Sequence, residues 1–130
     1  MSCDKIENLR KTEYKIAVLL SQKGILSAKE LQFLLNVDKA TVYRNLKSLL
    51  NKETIREIKN SDGIGFYELN CTVHNPIHPH FECKICKKIY CLKPLAADDV
   101  LNLIKYSDFE VENIKIKLEG ICDECKKIEN

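Results

Sequence analysis

The chain of 130 residues has no run of about 20 consecutive apolar residues, so no membrane-spanning helix is expected. It also lacks long blocks of like charge and low-complexity tracts, which argues against a disordered acidic or basic tail. Its first residues, Met1-Ser2-Cys3-Asp4-Lys5, are not the basic segment followed by an apolar stretch that opens a secretory signal, so a cytoplasmic protein is expected. Histidine is scarce and confined: none precedes His74, and all three lie between residues 74 and 80. A disulfide framework is not expected in a reducing compartment, although seven cysteines are present. Four of them form two C-x-x-C pairs, which turns attention to metal.

What is there suffices for a fold. Hydrophobic residues make up 45% of the chain and charged residues 31%, enough for one ordinary domain or two small ones with real cores. The net charge of +2 hides an asymmetry: residues 1–60 carry 12 Lys/Arg against 7 Asp/Glu, residues 61–130 carry 9 against 12. A basic front half joined to an acidic back half implies that only the front half meets a polyanion.

The dense apolar residues between Thr12 and Gln22 predict a mostly buried helix ended by Gly24. Ser27-Ala28-Lys29-Glu30 reads as a capping box opening a second helix to about Leu35. After Asn36-Val37, Asp38 can cap a third helix, where Val42, Leu46, Leu49 and Leu50 recur at helical spacing. Two helices across a tight turn make a helix-turn-helix. Ile55–Lys59 and Gly65–Leu69 read as strands joined by the turn formers Asn60-Ser61-Asp62-Gly63, the hairpin of a winged helix. Residues 71–80, with two prolines and all three histidines, read as a loop and hinge. Beyond it come a strand at Phe81, a strand from Ile89 to Leu92, a helix from about Ala96 to Lys105 and a strand from about Phe109 to Leu118. The fold class is therefore α+β: an N-terminal winged helix-turn-helix over residues 1–72, then a small α/β domain over residues 73–130 with a four-cysteine metal site.

Cys83-x-x-Cys86 and Cys122-x-x-Cys125 supply four thiolates in two knuckles, the ligand set of tetrahedral structural zinc. The gap of 35 residues between Cys86 and Cys122 implies that the metal ties the end of the chain back onto a strand hairpin. Thioredoxin-like C-x-x-C motifs sit in another context and do not come in pairs. His80-Phe81-Glu82 before a C-x-x-C superficially resembles zinc deaminase elements, but Glu82 directly precedes Cys83 and no proline does, so an enzyme is not expected. On the third helix Lys39, Thr41, Tyr43, Arg44 and Lys47 stand among the apolar positions and can reach phosphates and base edges. By periodicity alone this could equally be a solvated helix face.

Three segments carry a resemblance. Ala40-Thr41-Val42-Tyr43-Arg44-Asn45-Leu46 is similar to the A-T-V-Y-R-x-L signature of the ferric uptake regulator family; His78-Pro79-His80-Phe81-Glu82-Cys83-Lys84-Ile85-Cys86 resembles its H-x-H-x-x-C-x-x-C segment; Gly120-Ile121-Cys122-Asp123-Glu124-Cys125 resembles its terminal G-x-C-x-x-C. The resemblance implies a homodimeric, metal-dependent repressor of double-stranded operator DNA, with residues 73–130 as dimerisation domain, a structural zinc and a regulatory divalent metal at the hinge. Tyr43 and Arg44 match the family's DNA-contacting positions.

The departures bear on the metal. Iron- and peroxide-sensing members commonly use a histidine from the N-terminal domain, absent here, and Ile114 occupies the place of a histidine that many members carry ahead of the final strand. Cys71 stands where zinc-sensing members often place a ligating cysteine, and Cys91 where members can carry a carboxylate ligand. The candidate hinge site comprises His78, His80, Cys71 and Cys91, with Glu57 or Glu68 as a replacement, a sulfur and nitrogen set that favours zinc. Cys71 and Cys91 could instead be buried apolar thiols. Iron or manganese as regulatory metal, and a zinc-stapled interaction module without sensing, remain as alternatives. His74 and Cys3 receive no role.

Overall fold

The structure, a computed structural model, describes residue 6, residues 8–71 and residues 75–129, so His74 and Cys3 lie outside the described residues. The chain divides into two compact units, Met1–Asn75 and Pro76–Asn130.

The first unit is built from α1 (Lys11–Lys23), β1 (Leu26–Ser27), α2 (Ala28–Leu35), α3 (Lys39–Asn51), β2 (Ile55–Lys59) and β3 (Gly65–Leu69). α1 stops at Gly24, whose φ of +90° suits glycine and whose N–H bonds the Leu20 carbonyl at 2.8 Å. The capping box at the start of α2 is present: the Glu30 N–H donates to the Ser27 hydroxyl at 3.2 Å, and the Ser27 N–H donates to the Glu30 carboxylate at 3.1 Å. α2 ends at Asn36 in the left-handed conformation, which asparagine tolerates better than most residues. Asp38 occupies the N-cap of α3, but its carboxylate takes the Thr41 hydroxyl and no backbone cap.

One apolar cluster holds the three helices to the hairpin. Ile16 and Leu20 of α1, Leu31 of α2, Val42, Leu46 and Leu49 of α3, and Ile55 and Leu69 of the strands are all buried in it. Each such side chain contributes about 1.5–3 kcal/mol of burial energy. β2 and β3 pair antiparallel from Ile55↔Leu69 to Lys59↔Gly65. In the turn, the Asn60 carboxamide oxygen accepts from the N–H groups of Asp62 and Ile64, both at 2.9 Å, and Gly63 takes a φ of +81°. β1 adds a third strand in the order β1-β3-β2. Two residues are too few for an alternating pattern to show in sequence. This unit is a winged helix.

The second unit contains β4 (His80–Cys83), β5 (Ile89–Cys91), α4 (Ala97–Ile104), β6 (Lys117–Gly120) and α5 (Asp123–Glu129). The sheet order is β5-β4-β6, with β5 antiparallel and β6 parallel to β4. A parallel neighbour needs a long crossover, which the segment carrying α4 provides. The strand expected from about Phe109 to Leu118 is shorter and displaced, Lys117–Gly120: β4 is four residues long, and its register runs from His80↔Lys117 to Cys83↔Gly120. α5 was not expected. Asp123 and Glu124 in its first turn, with Lys126 and Lys127 in its last, complement the helix dipole and were a readable signal. Among the described residues no helix is long and apolar enough to cross a membrane.

Candidate metal centres and nucleic-acid interface

The second unit brings Cys83, Cys86, Cys122 and Cys125 together, their sulfurs all within 4.8 Å of one another. The first pair sits where β4 turns toward β5. There the Lys87 N–H bonds the Cys83 carbonyl at 2.9 Å, the Cys83 N–H bonds the Lys88 carbonyl at 3.1 Å, and Lys87 takes a left-handed φ of 66°. The second pair opens α5 straight after β6, which lies beside β4, so parallel pairing explains how cysteines so distant in sequence meet. All four are free thiols. Cys86 Sγ and Cys122 Sγ stand 3.9 Å apart, against about 3.8 Å for the edge of a tetrahedron with Zn–S bonds of about 2.3 Å. Cys83, Cys122 and Cys125 are buried and Cys86 is exposed. The set suits structural zinc.

The local field prepares these groups unequally. Burial acts to raise the Cys83 thiol, but the backbone N–H groups of Cys122, Cys86 and Ile85 outweigh it and bring the thiol down to about 6. Burial pushes Cys125 up to about 12, helped by its bonds to the neighbouring cysteines. One thiolate is thus favoured before metal arrives, and the other thiols must lose protons to bind it. Tyr90 was missed in the sequence: burial raises its hydroxyl, and so does the bond it makes to Cys122. Strand alternation could have found it, since Tyr90 lies directly across from Phe81, and both pack against the cysteine cluster.

Alternation sends the next residue to the other face. Cys91 pairs directly with His80, and the His78 ring centroid lies 4.5 Å from that of His80. Ligand atoms of His78, His80 and Cys91 lie within 4.8 Å of one another. His78 is buried, and its Nδ1 is 2.8 Å from the Pro76 carbonyl oxygen. A carbonyl only accepts, so Nδ1 carries the proton and Nε2 keeps its lone pair for a metal. Two imidazoles and a thiol form a set suited to a divalent borderline metal.

The other candidates for this site lie in the first unit. Glu68 is buried in β3, where Arg56 Nε donates to its carboxylate at 2.6 Å. Cys71 is in neither ligand group; it packs in the apolar cluster with the helices, so its thiol behaves as a small core residue. Glu57 is in neither group either; its carboxylate accepts from the Tyr67 hydroxyl, at 2.8 Å, directly across the β2–β3 pair. The family resemblance pointed to Cys71 and nearness along the chain to Glu57, and neither reports side-chain direction.

On α3, Val42, Leu46 and Leu49 are buried while Lys39, Tyr43, Arg44 and Lys47 are exposed. Lys39 Nζ lies 5.9 Å from the Tyr43 ring centroid. Arg44 Nη2 donates to the Thr41 hydroxyl at 3.4 Å, and that hydroxyl donates to Asp38, whose carboxyl it holds below its ordinary value. Thr41, half-buried, thus links the helix start to Arg44. Three cations and a tyrosine on the open face of a helix-turn-helix can meet phosphates and base edges.

The structure is thus a winged helix followed by a small sheet that carries two clusters of metal-ligand residues. The model of the ferric uptake regulator family matches residues 16–119, and the chain belongs to that family. A peroxide-responsive repressor, PerR of Staphylococcus epidermidis, is 30% identical over 93 residues, covering 71% of this chain and 59% of that protein. The chain spans about three fifths of the length of the curated relatives it matches. Among solved structures, the Helicobacter pylori ferric uptake regulator superposes with a TM-score of 0.71 at 22% identity, covering 92% of this chain and 82% of that one. A zinc uptake regulator complexed with zinc and DNA superposes with a TM-score of 0.55 at 24% identity, covering 95% and 87%.

Proposed function

We propose that the chain is a cytoplasmic, homodimeric transcriptional repressor that binds a double-stranded DNA operator when a regulatory divalent metal, zinc in preference to iron or manganese, is bound, and that it is not an enzyme. His78, His80 and Cys91 hold that metal, and Glu68 stays the carboxylate that the sequence offers as a further ligand. Cys83, Cys86, Cys122 and Cys125 hold the structural zinc. Lys39, Thr41, Tyr43, Arg44 and Lys47 form the DNA-facing surface, with Tyr43 and Arg44 at base edges and the lysines at phosphates. The observation that carries this reading is the pairing of His80 with Cys91 beside His78, a second ligand cluster within a chain of this family. A structural module without sensing has no use for it.

The thiol supports zinc, because sulfur ligands favour zinc over harder ions. Cys71 and Glu57 are left out of the set for the packing and bonding reasons above. The homodimer is supported by the second unit: α4 buries none of its residues, and Leu101, Tyr106 and Phe109 are 56%, 91% and 86% exposed. A second copy of the chain is the natural cover for that apolar surface. A bound ion would couple the His78 loop to the β4–β5 hairpin and so favour one conformation over another. The test loads the structural site, titrates zinc and ferrous iron anaerobically, and follows binding to a duplex that the protein selects from a random-sequence library. Metal-independent binding, or activation by iron at lower free concentration than zinc, would refute the zinc-sensor reading.

A further inference from the structure

The winged-helix unit contains a buried carboxylate that neither the metal clusters nor the open face of α3 uses. Glu13, in the first turn of α1, is only 1% exposed. It accepts from the Ser48 hydroxyl at 2.7 Å, from Lys52 Nζ at 2.9 and 3.0 Å, and from the Arg10 N–H at 3.1 Å. Ser48 lies near the end of α3 and Lys52 is its C-cap, so the two are one turn apart on one side of that helix. One carboxylate, itself fixed to the start of α1, therefore grips the end of α3 at two points.

A role in stability alone does not account for this choice of residue. An apolar side chain of similar size would fill the space, and replacing buried ion pairs by apolar groups is often neutral or stabilising. What an apolar side chain lacks is direction. Hydrogen bonds to Ser48 and Lys52 fix how far α3 is rotated about its own axis, and Tyr43 and Arg44 lie about one turn before Ser48. At a helix radius of about 5–6 Å, a rotation of about 10° moves a side-chain tip by roughly 1 Å. A displacement of that size is enough to spoil a bidentate contact.

We propose that Glu13 is a positioning residue for DNA reading: through Ser48 and Lys52 it sets the rotation of α3 and hence the alignment of Arg44 and Tyr43 with the bases. The inference rests on the reading of α3 as the DNA-facing helix. It is tested in the full-length, zinc-loaded protein with a duplex selected by the wild type from a random-sequence library and a scrambled duplex of equal composition, at one fixed salt concentration. Glu13→Leu is expected to lose about tenfold of the preference for the selected duplex, the scale of one well-aligned base contact, with affinity for the scrambled duplex unchanged. Glu13→Gln, which keeps an acceptor for the Ser48 hydroxyl, is expected to recover much of the preference. Lys52→Met is expected to repeat the loss from the partly exposed side of the network, and serves if Glu13→Leu folds poorly. Full preference in a folded Glu13→Leu or Lys52→Met protein overturns this inference alone. Failure of the wild type to select any duplex overturns it together with the DNA-binding proposal.

Discussion

Replacing Cys83 with serine tests how much of the second unit the metal holds up. Among the described residues the apolar support there is thin: the cluster around Cys83, Cys122 and Cys125 has Phe81, Tyr90 and Ile121 as partly buried neighbours, and no residue of α4 is fully buried. Structural zinc in small domains contributes about 10–16 kcal/mol of folding energy, comparable with or larger than the whole stability of a typical domain, about 5–15 kcal/mol. Cys83 is fully buried, the first residue of its knuckle, and the acceptor of the Cys122 N–H at 3.5 Å, so its loss opens both knuckles. We expect Cys83→Ser to retain no stoichiometric zinc at this site and to lose the structure of residues 76–130, while the helical core of the first unit, which contains none of these cysteines, melts as in the wild type. Circular dichroism melts of the full chain, with metal analysis and a strong chelator added to the wild type as a parallel arm, measure both quantities. A Cys83→Ser protein with the zinc content and melting profile of the wild type would refute the argument.

Three further outcomes follow from the same geometry. Arg44→Ala is expected to weaken operator binding by about 1–3 kcal/mol with loss of preference at one base pair, whereas Lys39→Ala should weaken selected and scrambled duplexes alike; equal effects of the two in a fixed-salt binding assay count against the assignment of bases to Arg44. Cys91→Ser is expected to narrow the gap between zinc and ferrous iron as activators, and an unchanged gap in the anaerobic titration removes sulfur from the regulatory set. Burial acts to raise the Glu13 carboxyl, but the bonds from Lys52, Ser48 and the Arg10 N–H hold it below its ordinary value of 4.5. A carboxyl depressed on folding stabilises above its unfolded value, near 4.5, and the contribution is lost as pH falls through the folded value. Denaturant midpoints of wild type and Glu13→Gln should therefore differ above the ordinary value of 4.5 and draw together as pH falls below it; a difference that does not shrink on acidification contradicts this.

Local chemistry was legible in the sequence and tertiary direction was not. The strands of the wing, the Ser27–Glu30 box, the stop at Gly24 and the burial of Val42, Leu46 and Leu49 were all stated by short-range pattern, because turn formers, caps and helical spacing act within a few residues. The four-cysteine centre was legible because paired C-x-x-C knuckles have few other uses. Glu13 gave no such signal: a single glutamate in the first turn of a helix looks like an ordinary charge, and its partners lie 35 and 39 residues away. Cys71 and Cys91 looked equivalent in sequence, both cysteines flanking a histidine segment. The structure separates them, since Cys71 ends in the core of the helices while Cys91 falls opposite His80 on a strand pair.

That strand pair also explains why the second unit can be so small. Along β4, side chains alternate between His80 and Glu82 on one face and Phe81 and Cys83 on the other, and β5 answers with Cys91 and Ile89 against Tyr90. The sulfur cluster and the aromatic residues that pack on it therefore occupy one face, and the imidazole and thiol of the second cluster occupy the other. The β4–β5 register that sets Cys91 against His80 is fixed by the turn at Lys84–Lys88, and that turn is the knuckle carrying Cys83 and Cys86. A one-residue slip would send Cys91 to the wrong face and separate it from His80. A metal held by its four sulfurs would tie that knuckle down, so under the proposed reading the structural centre also supports the geometry of the regulatory one, and a single hairpin of twelve residues, His80 to Cys91, serves both.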